Sequence, residues 1–378
     1  MRISIKLFWV FCFLIFLIIL STFYIIPVNA QSPSPEINYQ EKFYQAEVIY
    51  ILEEGEKQIW EIKNPYQKVK LKILDGDKKN EEVIIDHGST FQLTNNQRVR
   101  TDEKVIILGR TNIDNQFEYH IIDKYRMDKI LIILFAFFAL VLAISRWKGL
   151  GSIIGLTISF LIITRFIVPN ILNGKDPVLI SIIGSFAIAV STIYLAHGFS
   201  KKTGVAVFST LLALSLTGIL ANLFVNIARL TGLGSEAAYG LRFGNTGDIN
   251  IQGLLLGGII IGALGVLDDV TTTQSASVFE LHKTNPALKF RELFKKGMNI
   301  GREHIASVVN TLVLAYTGVS LPIFIFLINN PTGQPVWFLL NSESITEEII
   351  RTLAGSFGLV LAVPITTFIA TWAATRKQ

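Results

Sequence analysis

The chain has a single cysteine, three methionines and little charge: 17% of its 378 residues are Asp, Glu, Lys or Arg, against 51% hydrophobic. A lone Cys12 excludes an intrachain disulfide. Familiar catalytic motifs are missing as well. There is no GxxxxGKS/T phosphate loop, so the chain carries no ATPase of that type, and there is neither HExxH nor GxSxG. His87 and His120 are isolated, without metal-ligand spacing.

What the chain does have is long apolar runs. Mean hydropathy is +0.48, and charge is unevenly placed: residues 31–129 hold 15 basic and 18 acidic groups, leaving 19 basic and 11 acidic for the rest. A polar segment of about 100 residues is therefore joined to a hydrophobic body of about 250. Runs approaching the ~20 residues of a bilayer span fall near 7–26, 127–145, 150–168, 178–196, 205–228, 251–267, 306–328 and 352–373. The expected fold class is an α-helical polytopic membrane protein with about eight spans, or seven if the first is cleaved, carrying a small all-β extracytoplasmic domain. Residues 1–30 read either as a signal peptide, with Val28-Asn29-Ala30 as the cleavage site, or as a retained signal anchor. The domains are then 1–30, 31–126 and 127–378.

Orientation follows from the loops. With the N-terminus inside, alternation puts 14 Lys and Arg on the cytoplasmic side, including Arg146, Lys148, Lys201 and Lys202. The short outer loops hold four: Lys175, Arg229, Arg242 and Arg351. That bias matches positive-inside sorting and predicts both termini on the cytoplasmic side of the membrane, with residues 31–126 outside.

Short alternating segments mark the outer domain: Ala46–Leu52, Val69–Leu74, Glu82–Asp86, Lys104–Gly109 and Tyr119–Asp123, separated by turn formers such as Asp75-Gly76-Asp77. Five strands in some 80 residues suggest an OB- or SH3-like barrel, read as a cap or partner-docking module.

Polar residues within and beside the spans are the candidate functional set, because intramembrane polar groups are expensive. Asn222, Asn226 and Arg229 recur at helical spacing on one stripe. Asp268 and Asp269 close the glycine-rich sixth run, where negative charge at a helix C-terminus opposes the macrodipole. Arg302, His304 and Asn310 open the seventh. Between them, Asn285-Pro286 looks like the start of an amphipathic basic helix ending at Gly297, which would lie on anionic headgroups. Pro322 is expected to break the seventh run and Pro364 to kink the eighth, with Thr366 and Thr367 able to re-satisfy an exposed carbonyl.

Three stretches, GNTGDINIQG, GVLDDVTTTQSASVFEL and GREHIASVVNTLVLAYTG, resemble the YibE/F-like family of multipass bacterial membrane proteins, from about residue 130 onward. The N-terminal anchor plus outer domain is similar to its YibE-type members. Residues matching the motif core include Asn245, Gly247, Asp248, Asp268, Asp269, Glu280, Arg302, His304 and Asn310. The resemblance implies fold and location and assigns no activity. The leading expectation is a permease or channel-like transporter for an ion or small polar solute; the alternative is an envelope assembly or scaffold protein acting through its β-domain. An enzyme ranks last, since adjacent aspartates point ~100° apart on a helix and form no facing dyad. No cofactor and no nucleic acid are expected. Expected partners are the bilayer, anionic lipid at 285–297, and a membrane or envelope protein or a second copy of the chain.

Overall fold

Alternation of apolar and polar residues builds the N-terminal domain, because successive strand side chains point to opposite faces. A computed structural model of the protein describes residues 41–59, 62–89, 92–111, 117–244, 249–330 and 333–376. The expected first span, Cys12 and the Ala30 cleavage site lie outside these residues, as do Asn245, Gly247 and Asp248. The described residues form two compact units, one within Ser32–Leu140 and one from Val141 onward.

The first unit is a five-stranded antiparallel sheet: β1 (Lys42–Ile59), β2 (Ile62–Ile73), β3 (Glu82–His87), β4 (Lys104–Thr111) and β5 (Phe117–Lys124), in the order β3-β2-β1-β4-β5. All five expected strands are present, β1 and β2 much longer than their apolar cores. The inward set of Ala46, Val48, Val69, Leu71, Ile73, Ile85, Val105 and Ile107 is buried in one cluster. The edge strands β3 and β5 come close to one another, though no ladder joins them among the described residues. Two buried amides fasten the long connection after β3. Asn64 donates to Gly88 O (2.7 Å) and accepts from the Leu93 N–H (2.6 Å), while Gln67 exchanges two hydrogen bonds with the Val99 backbone. Burial, then the Asp77 carboxylate that its hydroxyl contacts, push Tyr44 up to about 12. Tyr66 also rises to about 12, first through its hydrogen bond to Asp86 and then through burial. Burial lowers both His87 and His120.

The second unit is helical. Its elements are α1 (Met127–Ile162), a π-turn at Ile163–Ile167, α2 (Val168–Leu172), α3 (Pro177–His197), α4 (Lys201–Ile227), α5 (Glu236–Phe243), α6 (Ile251–Thr284), α7 (Phe290–Val319), α8 (Leu321–Asn329), α9 (Val336–Leu340) and α10 (Glu343–Thr375); α1 begins before the boundary between the units. Five of these runs are long and apolar enough to cross a membrane, six if the bent pair α7–α8 counts as one. The first, Met127–Leu172, contains two of the expected spans, and its backbone breaks between them at Arg146 (φ 53°, ψ −129°). The break expected at Pro322 also appears: α7 stops at Val319 and α8 leaves at 66°. Pro364 instead stays inside α10, where Thr366 and Thr367 donate to the carbonyls of Ala362 and Val363 (both 2.7 Å).

Two expectations are corrected. The helix of the sixth apolar run does not end at Asp268–Asp269, because α6 continues to Thr284. The residues that follow are polar yet buried: Thr271, Thr272, Gln274 and Ser275 face neighbouring helices. The last turn holds His282 and Lys283, which suit the negative end of the dipole. Nor does a helix run from Asn285 to Gly297. Residues 285–289 form the connection, and α7 starts at Phe290, where Glu292 accepts from the Lys289 N–H (3.4 Å). It passes straight through Gly297 and Gly301. Those glycines serve helix contact: a Cβ on Gly297 would meet Thr367 at 2.9 Å and Val278 at 3.0 Å, and one on Gly301 would collide with Val363.

The centre of the body is the mutual packing of α4, α6 and α10, with α3 against α6 and α7 against α10 and α6. Gly257 of α6 lies on Ser181 of α3, and Gly358 of α10 on Thr217 of α4. Small residues at these crossings let backbones approach closely, which sustains helix association in lipid. At ~1.5 Å per residue, the 34 residues of α6 reach ~50 Å, well beyond a ~30 Å hydrocarbon core. Its acidic pair is ~26 Å along from Ile251.

Candidate functional site

At one end of the body, the C-terminus of α4, the loop after it, α5 and the start of α6 enclose a cleft of about 670 Å³. The local chemistry begins with how α4 stops. The Leu230 N–H reaches back to Val225 O (3.0 Å), and the Arg229 N–H to Asn226 O (3.2 Å). This is a Schellman cap, completed by apolar contact between buried Val225 and Leu230. The residue at its left-handed position is Arg229, at φ 52°, where glycine is ordinarily found.

Two carboxylates from the start of α10 hold the loop. Glu343 accepts from the Thr231 N–H and hydroxyl and from the Gly232 N–H; Glu347, buried, accepts from the Gly234 N–H at 2.9 Å. Gly232 (φ 90°) is required by the turn, and a Cβ there would stand 2.6 Å from Ile251 O. Gln252 donates to Leu230 O (2.8 Å), and Asn250 caps α6 through the Gly253 N–H (3.0 Å). The cleft therefore presents Asn226, Arg229, Arg242, Asn250 and Gln252; among the described residues no carboxylate lines it.

Of the sequence candidates, the structure brings Asn222, Asn226 and Arg229 together at this end. Asn226 donates to Asn222 O and Oδ1 (2.8 and 3.1 Å), and both amides are exposed. Asn226 thus meets part of its hydrogen bonding within its own helix. Arg302, His304 and Asn310 are on α7, which packs on α10 and α6, and Asn310 and Arg302 are exposed. Arg302 contacts Asn299 (3.3 Å), and Glu280 pairs with Lys283 (3.6 Å). Asp268 is half-buried against α3, accepting from the Thr192 hydroxyl at 3.2 Å, while Asp269 is exposed.

Apart from Thr366 and Thr367, the polar groups buried between the helices were not singled out from the sequence. Thr210 and Thr271 share a hydrogen bond across α4 and α6, and Ser275 donates to Lys202 O (2.8 Å). Gln274 ties three helices, donating to Gly297 O (2.9 Å) and Thr367 Oγ1 (2.7 Å). Gln274 Oε1, Ser185 Oγ, Ser209 Oγ and Thr371 Oγ1 are buried with no hydrogen-bond partner among the described residues. Among the described residues no group of three or more His, Cys, Asp or Glu could hold a metal ion.

Fold and site together define a polytopic helical membrane protein carrying a separate five-stranded β-domain. Its affiliation is specific: the pattern of the YibE/F-like protein family matches residues 133–376, and the chain belongs to that family. No curated protein and no solved structure matches it.

Proposed function

We propose that the helical body is a permease for a small polar solute, with the Arg229 cleft as one mouth and the polar seam between α4, α6 and α10 as its interior. The observation that carries this reading is the set of buried oxygens without protein partners on α3, α4, α6 and α10. An unpaired buried polar atom costs about 1–3 kcal/mol, and such atoms are usually satisfied by internal water. A purely structural bundle would favour apolar residues at these places. In this reading both termini and the α6–α7 connection face the cytoplasm and the β-domain lies outside, giving seven spans within residues 127–378. The strand order, with β3 near β5, supports an OB-like barrel for that domain. Uptake would draw on an ion gradient or a separate partner. The scaffold alternative is favoured by the β-domain alone.

The test is hydration. Single cysteines at Asn226, Ser209 and Gln274, in a Cys12→Ser background, react with small water-soluble thiol reagents if the seam is wet, because thiolate chemistry needs water. A cysteine at Ile219, exposed on α4, is the lipid-facing control. Ser209 and Gln274 positions as inert as this control would remove the permease reading and leave the scaffold.

A further inference from the structure

We infer that the cleft where α4 and α7 begin and α6 and α10 end binds the phosphate headgroup of an anionic phospholipid, with Lys202, Lys289 and Arg376 as its chief contacts. The inference is independent of the permease reading, since a bound lipid would suit a scaffold equally. It replaces the single basic helix expected at 285–297 with a discrete site that four helix ends build together.

The first ground is charge. This cleft, of about 1040 Å³, is lined by Lys201, Lys202, Lys283, Lys289 and Arg376 and by one carboxylate, Glu280. Glu280 pairs with Lys283 (3.6 Å) on its own helix. Among the described residues no carboxylate pairs with the other four cations. Glu292 engages the Lys289 N–H and does not line the cleft. No Asp or Glu occurs in residues 1–35 or after Arg376, so those segments supply no acidic side chain either. Lysines clustered at a membrane surface attract anionic headgroups, and guanidinium groups match phosphate oxygens.

The second ground is position. Phe279, on the cleft wall, lies ~42 Å along α6 from Ile251, and a bilayer with its headgroup regions is ~40–45 Å thick. With the start of α6 at one membrane surface, the cleft therefore lies at the headgroup level of the other. Aromatic rings flank it as they flank membrane–water interfaces. Arg376 lies over the ring of exposed Trp372 (4.2 Å), and Phe290 meets exposed Phe368 edge-on (5.6 Å). His282 also lines the cleft, and its Nδ1 is buried without a hydrogen-bond partner among the described residues. A buried ring nitrogen calls for a partner, and a phosphate oxygen supplies one. Ser200 and Lys289, the N-cap residues of α4 and α7, line the cleft too, so two helix starts add positive potential.

The experiment uses the full chain in detergent micelles, titrated separately with short-chain phosphatidylglycerol, short-chain phosphatidylcholine and glycerol 3-phosphate. The readout is thermal shift. Lys202→Gln and Arg376→Gln each remove a cleft charge from an exposed residue, while Lys296→Gln removes an equally exposed charge of α7 outside the cleft. All three should melt as wild type before lipid is added. The expected result is a saturable stabilisation by phosphatidylglycerol and none by phosphatidylcholine. Its apparent affinity should fall about fivefold in each cleft variant, the contribution of one basic residue at an anionic surface, and should not change in Lys296→Gln. Native mass spectrometry should find one phosphatidylglycerol retained by wild type and lost from the Lys202→Gln/Arg376→Gln double variant. Absent stabilisation, or equal stabilisation by the two lipids, would overturn the inference. So would an equal weakening in Lys296→Gln, which would make this end a diffuse basic surface. Glycerol 3-phosphate acting as strongly as the lipid would also overturn it and assign the cleft to a soluble phosphate.

Discussion

Gly358→Ala puts the packing of the helical body to a test in which two opposing effects have different signs. Gly358 lies within α10, so alanine should gain about 1 kcal/mol of helix propensity. Its new methyl group, however, would collide with Thr217 Oγ1 on α4 and stand 3.0 Å from Thr217 Cβ and Cγ2. Thr217 is fully buried, its hydroxyl donates to Ala213 O at 2.8 Å, and a β-branched side chain in a helix has few rotamers to which it can turn. Overpacking costs about 1–3 kcal/mol, and the displaced hydroxyl about 1 kcal/mol more. The net expectation is a loss of about 1–3 kcal/mol, or about 3–10 °C for a body of this size. In a Thr217→Ala background the clashing oxygen and methyl are gone, only Cβ remains close, and most of the penalty should vanish. The assay is the melting temperature of a fluorescent fusion in detergent for both single variants and the double variant, treated as a double-mutant cycle. If Gly358→Ala raises the melting temperature by itself, or acts equally in both backgrounds, helix propensity has prevailed and the close α4–α10 approach is not where the structure puts it.

A cysteine at Lys79 should label from outside intact cells and one at Lys289 only after permeabilisation; the reverse pattern would invert every sidedness statement made for the proposed permease. In the β-domain, Tyr44 and Tyr66 both titrate near 12 in the fold and near 10 when unfolded. Because the folded values are raised, the stability they contribute is complete below pH 10 and is lost as pH rises from about 10 through 12. Tyrosinate absorbance should lose one late-ionising group in Tyr44→Phe and another in Tyr66→Phe; ionisation of both at pH 10 would refute the hydrogen bonds to Asp77 and Asp86.

Much of the architecture is legible in the sequence because it rests on local periodicity. A two-residue alternation marks all five strands, since each has one face in the buried cluster around Val48, Leu71 and Ile107. The break near Arg146 and the bend at Pro322 are legible too, the first from a charged interruption of an apolar run and the second from a missing backbone donor. Where periodicity ceases to be informative, the reading fails. Residues 271–275 look like the polar start of a loop, because sequence shows that Thr, Gln and Ser are polar and not that Thr210, Thr367 and Lys202 await them on other helices. Gly297 has the composition of a helix stop and the role of a contact point. The same ambiguity hides Asn64 and Gln67, whose partners are 24 to 32 residues away.

The candidate site is legible in a different way. Asn222, Asn226 and Arg229 stand out because polar residues recur on an apolar helix, whereas the polar atoms left buried without a partner among the described residues include those of Ser185, Ser209, Gln274 and Thr371. In an isolated sequence a serine or threonine in an apolar run is unremarkable, since it can bond its own helix one turn back, as Thr217 does. Only the tertiary placement shows which hydroxyls have done so and which are left over. Arg229 completes the contrast. Its spacing reads as one more member of a polar stripe, while the structure shows it beyond the last turn of α4, in a conformation that disfavours every residue except glycine and, to a lesser degree, asparagine. Gly232, three residues on, shows that glycine is used in this loop where the backbone alone decides. An arginine kept at Arg229 therefore has to be explained by what its side chain does, and that side chain lines the cleft at the end of α4.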